Sequence, residues 1–280
     1  MRGFFQHAAF RNTSVLIGGS LLLVLLIAAL AAPLLSAFDP LQIAPRFRLK
    51  PPSEEFWMGT DVYGRDIWTR VLYGGRTSLL VSACVAAVAL TCGMLIGLAA
   101  GYFRWLDGVA MRAMDGLMAI PGILLAIALV TLSGATLLTV IIAIVIPEIP
   151  RVARLVRAVV LSIREEPYVE AAIGLGTPSY KILFWHIMPN TIAPLIVQGT
   201  YICASAILTE AILSFLGAGL PSELPTWGNI IAEGRAVFQR APWTILFPGM
   251  MLAISILAVN ILGDGLRDTL DPRMQKRMGN

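Results

Sequence analysis

The sequence predicts an all-α integral membrane protein with six transmembrane helices. Of its 280 residues, 57% are hydrophobic and only 14% are charged, and the mean hydropathy is +0.78. Soluble domains carry about 25% charged residues, and a large core alone does not explain such a shortfall. The apolar residues are gathered into six blocks. Five of these blocks reach the ~20 residues that cross a bilayer as a helix, and one is shorter.

The six predicted helices are separated by polar segments. Their residues are 14–37, 77–102, 114–132, 136–151, 191–216 and 244–262. Pro121 interrupts the third block early, and the fourth carries Pro147 and Pro150 near its end, which membrane helices tolerate better than soluble ones. The fourth helix is expected to continue on the cytoplasmic side to Arg157, and whether it spans unbroken stays open.

The first block is interpreted as an uncleaved membrane helix. Its apolar run from Val15 to Leu35 has about 21 residues, whereas the apolar part of a secretion signal has ~7–15. No clear cleavage site with small residues follows the run. A signal peptide is therefore the weaker interpretation.

The distribution of Lys and Arg predicts that both termini lie in the cytoplasm. In that orientation the inner segments hold 13 basic residues and the outer segments hold 8. Six of those eight fall in the long outer segment 38–76, and long loops weigh less in this rule than short ones. The chain is expected to be a multi-pass protein of the bacterial inner membrane, with cytoplasmic termini at 1–13 and 267–280.

Several function classes find no support in the sequence. A phosphate-binding G-x-x-x-x-G-K-[ST] loop and a Gly-x-Ser-x-Gly nucleophile motif are both absent. The two histidines, His7 and His186, have no ligand cluster at metal-binding spacing. Cys84, Cys92 and Cys203 lie inside apolar blocks and are odd in number, which favours packing over a disulfide. We expect no catalytic, cofactor or metal site, and no nucleic-acid partner, because the basic residues form no single run.

The cytoplasmic segment 162–189 is predicted to form two short helices. Pro167 suits the first turn of the first helix, and Gly176 suits its end. Thr177 can cap a second helix, which is expected to break before Pro189. Composition leaves open whether the apolar surface of this segment binds a partner or packs on the chain's own helix ends.

The same segment resembles the EAA motif of ATP-binding-cassette (ABC) importer permeases. The matching residues are Glu170, Ala171, Ala172, Gly176 and Pro189. The preceding residues depart from the general motif, since His186 and Met188 replace an aliphatic residue and Leu. Both departures resemble the oligopeptide and dipeptide branch, which also includes nickel permeases. Further stretches similar to that branch are 59–66, 210–219, 227–229 and 260–273.

The resemblance implies a fold and a mechanism. It implies a type I importer permease fold, in which five core helices are preceded by one extra N-terminal helix. Residues 77–266 would form the permease domain. The segment from Glu170 to Gly176 would be a coupling helix that sits in a groove of a cytoplasmic ATPase. The implied partners are a second homologous permease subunit, two ATPase subunits and a periplasmic binding protein. That binding protein would meet the outer loops 38–76 and 217–242.

The resemblance implies peptides as the substrate class, with nickel chelates or glutathione as alternatives. Two carboxylates in apolar blocks, Glu148 and Glu210, are candidates for the translocation path. Glu148 could instead pair with Arg151 to satisfy a broken helix, and Glu210 could instead bond to a neighbouring helix. An ion-coupled secondary transporter is the alternative from a different class, although no inverted repeat is visible.

Overall fold

The computed structural model describes residues 12–270, and within that range the chain is a bundle of helices without strands. Residues 1–11 and 271–280, which carry most of the predicted cytoplasmic termini, lie outside the described residues. The helices are α1 Thr13–Leu30, α2 Ala32–Leu35, α3 Ile67–Tyr102, α4 Arg104–Ala119, α5 Gly122–Ser133, α6 Leu137–Ile163, α7 Pro167–Gly174, α8 Ser179–Lys181, α9 Met188–Phe215, α10 Trp227–Gly234 and α11 Trp243–Leu270.

Four helical stretches within residues 12–270 are long and apolar enough to cross a membrane. They are Thr13–Leu30, Ile67–Tyr102, Ser179–Phe215 and Trp243–Leu270. A fifth span exists if α4 and α5 are counted together. The predicted fourth span corresponds to the first part of α6, which is not among these stretches. This helix carries three charged residues at short intervals, namely Glu148, Arg151 and Arg154. The structure thus supports four or five of the six predicted spans and does not confirm the count of six.

The predicted third span is not one straight helix. Helices α4 and α5 are bent by 85° at the break before Gly122. Pro121 causes the break, because it disfavours helical geometry in the residue before it, and Ile120 is extended with φ −94° and ψ 128°. Helix α4 is held along α6 by an ion pair in which Arg157 Nη2 donates to Asp107 Oδ2 at 2.6 Å.

Helix α3 begins ten residues before the predicted second span. Asp66 caps it, with its Oδ2 accepting hydrogen bonds from Thr69 N at 2.8 Å and Thr69 Oγ1 at 2.6 Å. Burial raises the pKa of the Asp66 carboxyl, against the lowering effect of these hydrogen bonds. The predicted outer segment 38–76 is therefore too long, because its last ten residues form the first turns of α3, in which Ile67, Val71 and Leu72 are buried.

Four charged side chains hold the segment before α3 against α3 and α10. Arg70 is fully buried, and its Nη1 donates to Asp61 Oδ2 at 2.8 Å and to Glu233 Oε2 at 2.6 Å. Arg65 Nε also donates to Asp61 Oδ2, at 2.6 Å, and the Arg65 guanidinium contacts Glu233. Two positive and two negative charges are thereby neutralised inside one cluster.

The core of the bundle lies where α3 meets α6. Gly93, Gly97 and Gly101 form a stripe on α3 that lies against Val152, Ala153, Val156 and Val160 of α6. A Cβ added at Gly97 would lie 2.5 Å from the Ala153 carbonyl oxygen. The stripe therefore serves close packing of α3 against α6 within the chain.

The substitution Gly97→Ala is expected to destabilise the protein by about 1–3 kcal/mol, because the methyl group overlaps the α6 backbone. Thermal unfolding of the purified chain in detergent would measure the loss. Gly249→Ala is the matched control, since Gly249 also lies in a membrane-spanning helix and an added Cβ there meets nothing within 4 Å. Equal unfolding temperatures for the two variants would contradict the packing argument.

Candidate functional site

Helix α7 forms as the sequence predicts, with Pro167 at its first position. It ends at Gly174, and two residues later Gly176 has a φ of 77°, in the left-handed region that favours glycine. The backbone N–H of Thr177 donates to Ala172 O at 3.1 Å, and that of Gly176 donates to Ile173 O at 2.9 Å. This closure of the C-terminus makes α7 a short, well-defined helix.

The two faces of α7 differ in exposure. Val169 and Ala172 are buried, and Val169 belongs to a core cluster that includes Ile182, Leu183 and Ile187. On the outer face Glu170, Ala171, Ile173 and Leu175 are exposed, and Leu175 retains 86% of its accessible surface. In the EAA motif, Ala172 is therefore buried against the chain, whereas Glu170 and Ala171 face away from it.

The helix after α7 does not break before Pro189, so that prediction is wrong. Residues Ser179–Phe215 form one continuous helix of 37 residues. A π-helical stretch, Ile182–Ile187, ends two residues before Pro189. Its wider turns relieve the clash of a proline ring with the preceding turn. The side chain of Asn190 donates to His186 O at 2.7 Å and occupies one carbonyl of this stretch.

A cavity of about 630 Å³ lies between the α4–α5 bend, α6 and α9. Its polar lining consists of Glu148 and Arg151 from α6 and Ser205 and Thr209 from α9. The rest of its wall is predominantly apolar. A mostly apolar cavity with a few converging polar groups has the composition of a small-molecule site.

Glu148 is the buried acid of this cavity. Its Oε1 accepts a hydrogen bond from Ser205 Oγ at 3.2 Å and lies 3.6 Å from Arg151 Nη1. The predicted i,i+3 pair therefore exists, and it extends to a residue of α9. Glu148 Oε2 is buried and has no hydrogen-bond partner among the described residues.

Glu210 does not line the cavity. It is 1% exposed, and its Oε1 accepts from Ser214 Oγ at 2.8 Å and from Thr226 Oγ1 at 2.9 Å. These bonds join α9 to the residue that caps α10. The structure therefore separates the two predicted carboxylates, with Glu148 at the cavity and Glu210 at the contact between α9 and α10.

Sequence reasoning missed Ser205 and Thr209. Their spacing of four places both on one face of the fifth block, which is a detectable signal. That they meet Glu148 depends on how α9 packs on α6, and no local pattern reveals it. The helix that carries them also carries Pro189, so one continuous helix joins the α7 region to the cavity.

These features define a class, an all-helical membrane protein with four or five spans and a short helix exposed on one face. The fold resembles a chain of the MetNI methionine ABC transporter in its inward-facing conformation, with a TM-score of 0.51 and 18% identity. The match covers 69% of this chain and 94% of that one. The chain belongs to the family of binding-protein-dependent transport system inner membrane components, whose family model matches residues 89–276.

Relatives of known name are similar over nearly the whole chain. A probable peptide ABC transporter permease protein of Sinorhizobium fredii is 55% identical over 96% of this chain and 92% of its own. A dipeptide transport system permease protein of Alkalihalophilus pseudofirmus is 44% identical over 95% and 88%. Residues 6–52 match the N-terminal transmembrane domain of oligopeptide transport permease C. The chain is thus a multi-pass inner-membrane permease of the peptide branch.

Proposed function

We propose that this chain is one of two permease subunits in an importer that carries dipeptides or oligopeptides into the cell. Two separate ATPase subunits would drive it, and a periplasmic binding protein would deliver the peptide. The observation that carries the proposal is the outer face of α7, where Glu170, Ala171 and Leu175 are exposed on a helix whose other face is anchored. The names of the relatives support the peptide substrate.

The packing of α7 suggests how a push from an ATPase would reach the membrane. Val169 shares a core cluster with the π-helical stretch Ile182–Ile187 near the start of the 37-residue helix, and Ala172 is also buried. Because that helix is continuous, a displacement of α7 would tilt it as a rigid body and move Ser205 and Thr209 at the cavity. Transport would then follow from a change in the shape of the cavity that these residues line.

The proposed orientation places α7 and both termini in the cytoplasm. The segment before α3, which the cluster of Asp61, Arg65, Arg70 and Glu233 holds in place, would then face the periplasm, where it would meet the binding protein. The cavity would form part of a path that a second, homologous permease subunit completes. The remaining outer surface, rich in Leu, Ile and Val, would contact lipid.

Reconstituted transport would test this proposal. We expect liposomes that contain this chain, its partner permease and the ATPases to accumulate a radiolabelled dipeptide when ATP and loaded binding protein are supplied. Replacement of ATP by a non-hydrolysable analogue is expected to stop accumulation. Uptake driven by an ion gradient without ATP would contradict the proposal, and uptake of only a nickel chelate or glutathione would replace peptides as the substrate.

A further inference from the structure

The cavity contains an acid whose hydrogen-bonding capacity is only partly used. A carboxylate offers about four acceptor positions, but both polar contacts of Glu148 are made by Oε1. Oε2 has no partner among residues 12–270 and is shielded from solvent. An unpaired oxygen on a buried carboxylate is costly, and a cationic donor in the cavity would offset that cost when the Glu148 side chain turns this oxygen towards it.

The basic side chain of Arg151 lies one helical turn from Glu148 and has unused N–H donors. Arg151 is 46% exposed, and its Nη1 makes one hydrogen bond, to Tyr201 Oη at 3.3 Å, in addition to the 3.6 Å contact with Glu148. A guanidinium has five N–H donors, so most remain available to a carboxylate. Within the chain the two charges neutralise each other, which limits the cost of placing them at a membrane helix.

We propose that this cavity binds the charged ends of a short zwitterionic peptide, the ammonium at Glu148 and the carboxylate at Arg151. Three residues of helix separate the two groups by about 4.5 Å along the axis, and their side chains extend this reach towards the ~7 Å of an extended dipeptide. The apolar wall would accept different side chains without selecting among them. This inference rests on the proposed function and identifies where that function recognises its substrate.

Protection from thiol labelling would test the site without the binding protein. The variant Thr209→Cys places a thiol in the cavity, on a background in which native cysteines are replaced by alanine (Cys84, Cys92 and Cys203). The chain, in complex with its partner subunits in nanodiscs, is labelled with a maleimide and read by mass spectrometry. We expect millimolar Ala-Ala to slow labelling, and N-acetyl-Ala-Ala-amide, which lacks both charges, to have no effect.

Substitutions at the two charges complete the test. Glu148→Gln and Arg151→Gln are each expected to weaken protection about tenfold, the usual cost of losing one charged hydrogen bond in a shielded site. Arg154→Gln is the matched control, because Arg154 is 44% exposed on the same helix, makes its own ion pair with Asp115, and lies outside the cavity lining. This control should leave protection unchanged.

A second measurement keeps the inference falsifiable if the cysteine variant does not assemble. Uptake of Ala-Ala by complexes with native cysteines should fall about tenfold in Glu148→Gln and stay unchanged in Arg154→Gln. Equal protection by both peptides, an unreactive thiol, or unchanged behaviour of Glu148→Gln would overturn the inference while ATP-driven peptide uptake by the unmodified complex still supports the proposed function. Absence of peptide uptake in the unmodified complex would instead refute the function itself.

Discussion

Replacing Ala171 by Arg is expected to abolish ATP-driven uptake while leaving the chain folded. Ala171 is exposed on the outer face of α7, and a methyl group there lets the helix backbone approach a partner closely. A long charged side chain would hold α7 away from an apolar groove and would bury an unpaired charge. Loss of one central contact in an interface typically costs about 2 kcal/mol or more, so we expect ATPase binding to weaken by tenfold or more.

Copurification and transport would measure this effect. The ATPase subunits should no longer copurify with the Ala171→Arg chain, and its uptake rate should fall to background. Ala158→Arg is a suitable control, because Ala158 is also an exposed alanine on a helix, but it lies on α6 and outside α7. Normal ATPase binding by Ala171→Arg would show that the outer face of α7 is not the docking surface.

A comparison with Ala172 separates docking from folding. Ala172 is 9% exposed and faces the chain's own core. Arg at that position should unseat α7 and lower the unfolding temperature, whereas Arg at position 171 should not. This difference between adjacent residues follows from the geometry of α7 and is not available from the motif alone.

The sequence predicted those parts of the fold that depend on local chemistry. Apolar blocks located most of the long helices, and Pro167 and Gly176 marked the ends of α7, because caps and hydrophobic runs act over a few residues. The motif residues Glu170, Ala171 and Ala172 came from resemblance, and the structure adds only which of them face outward.

Other features were out of reach because they depend on tertiary packing. Pro189 is a strong local signal for a break, yet the π-helical stretch before it lets the helix continue. Pro121 predicts an interruption, but the 85° bend also depends on the ion pairs that hold α4 along α6. The contact between Glu148 and Ser205 joins residues 57 positions apart, and periodicity in one helix cannot reveal its partner.

The charged cluster beside α3 also depends on tertiary packing and could not be predicted from local sequence. It leads to the prediction with the largest effect on stability. The resemblance singled out 59–66, which supplies Asp61 and Arg65, but Arg70 and Glu233 lie outside it. Arg70 is fully buried and contacts both acids. Its removal would leave two carboxylates with Arg65 as their only cation in the cluster, and the cost of such an uncompensated buried charge is high.

The substitution Arg70→Met is therefore expected to lower the free energy of unfolding by about 3–5 kcal/mol, close to the cost of breaking other buried ion pairs. For a chain of this size that corresponds to a fall of about 10 °C in the unfolding temperature. Thermal unfolding of the purified full chain in detergent would measure it. Arg46→Met, at an exposed arginine of the segment before α3, should change the temperature by little.

A double substitution distinguishes charge imbalance from loss of packing. Arg70→Met combined with Glu233→Gln removes one charge of each sign and leaves the Arg65–Asp61 pair balanced. The double variant should regain much of the lost stability, since the penalty comes from the unpaired acid rather than from the missing guanidinium. If the double variant is less stable than Arg70→Met alone, the contacts of the Arg70 side chain, and not charge balance, hold the loop against α3 and α10.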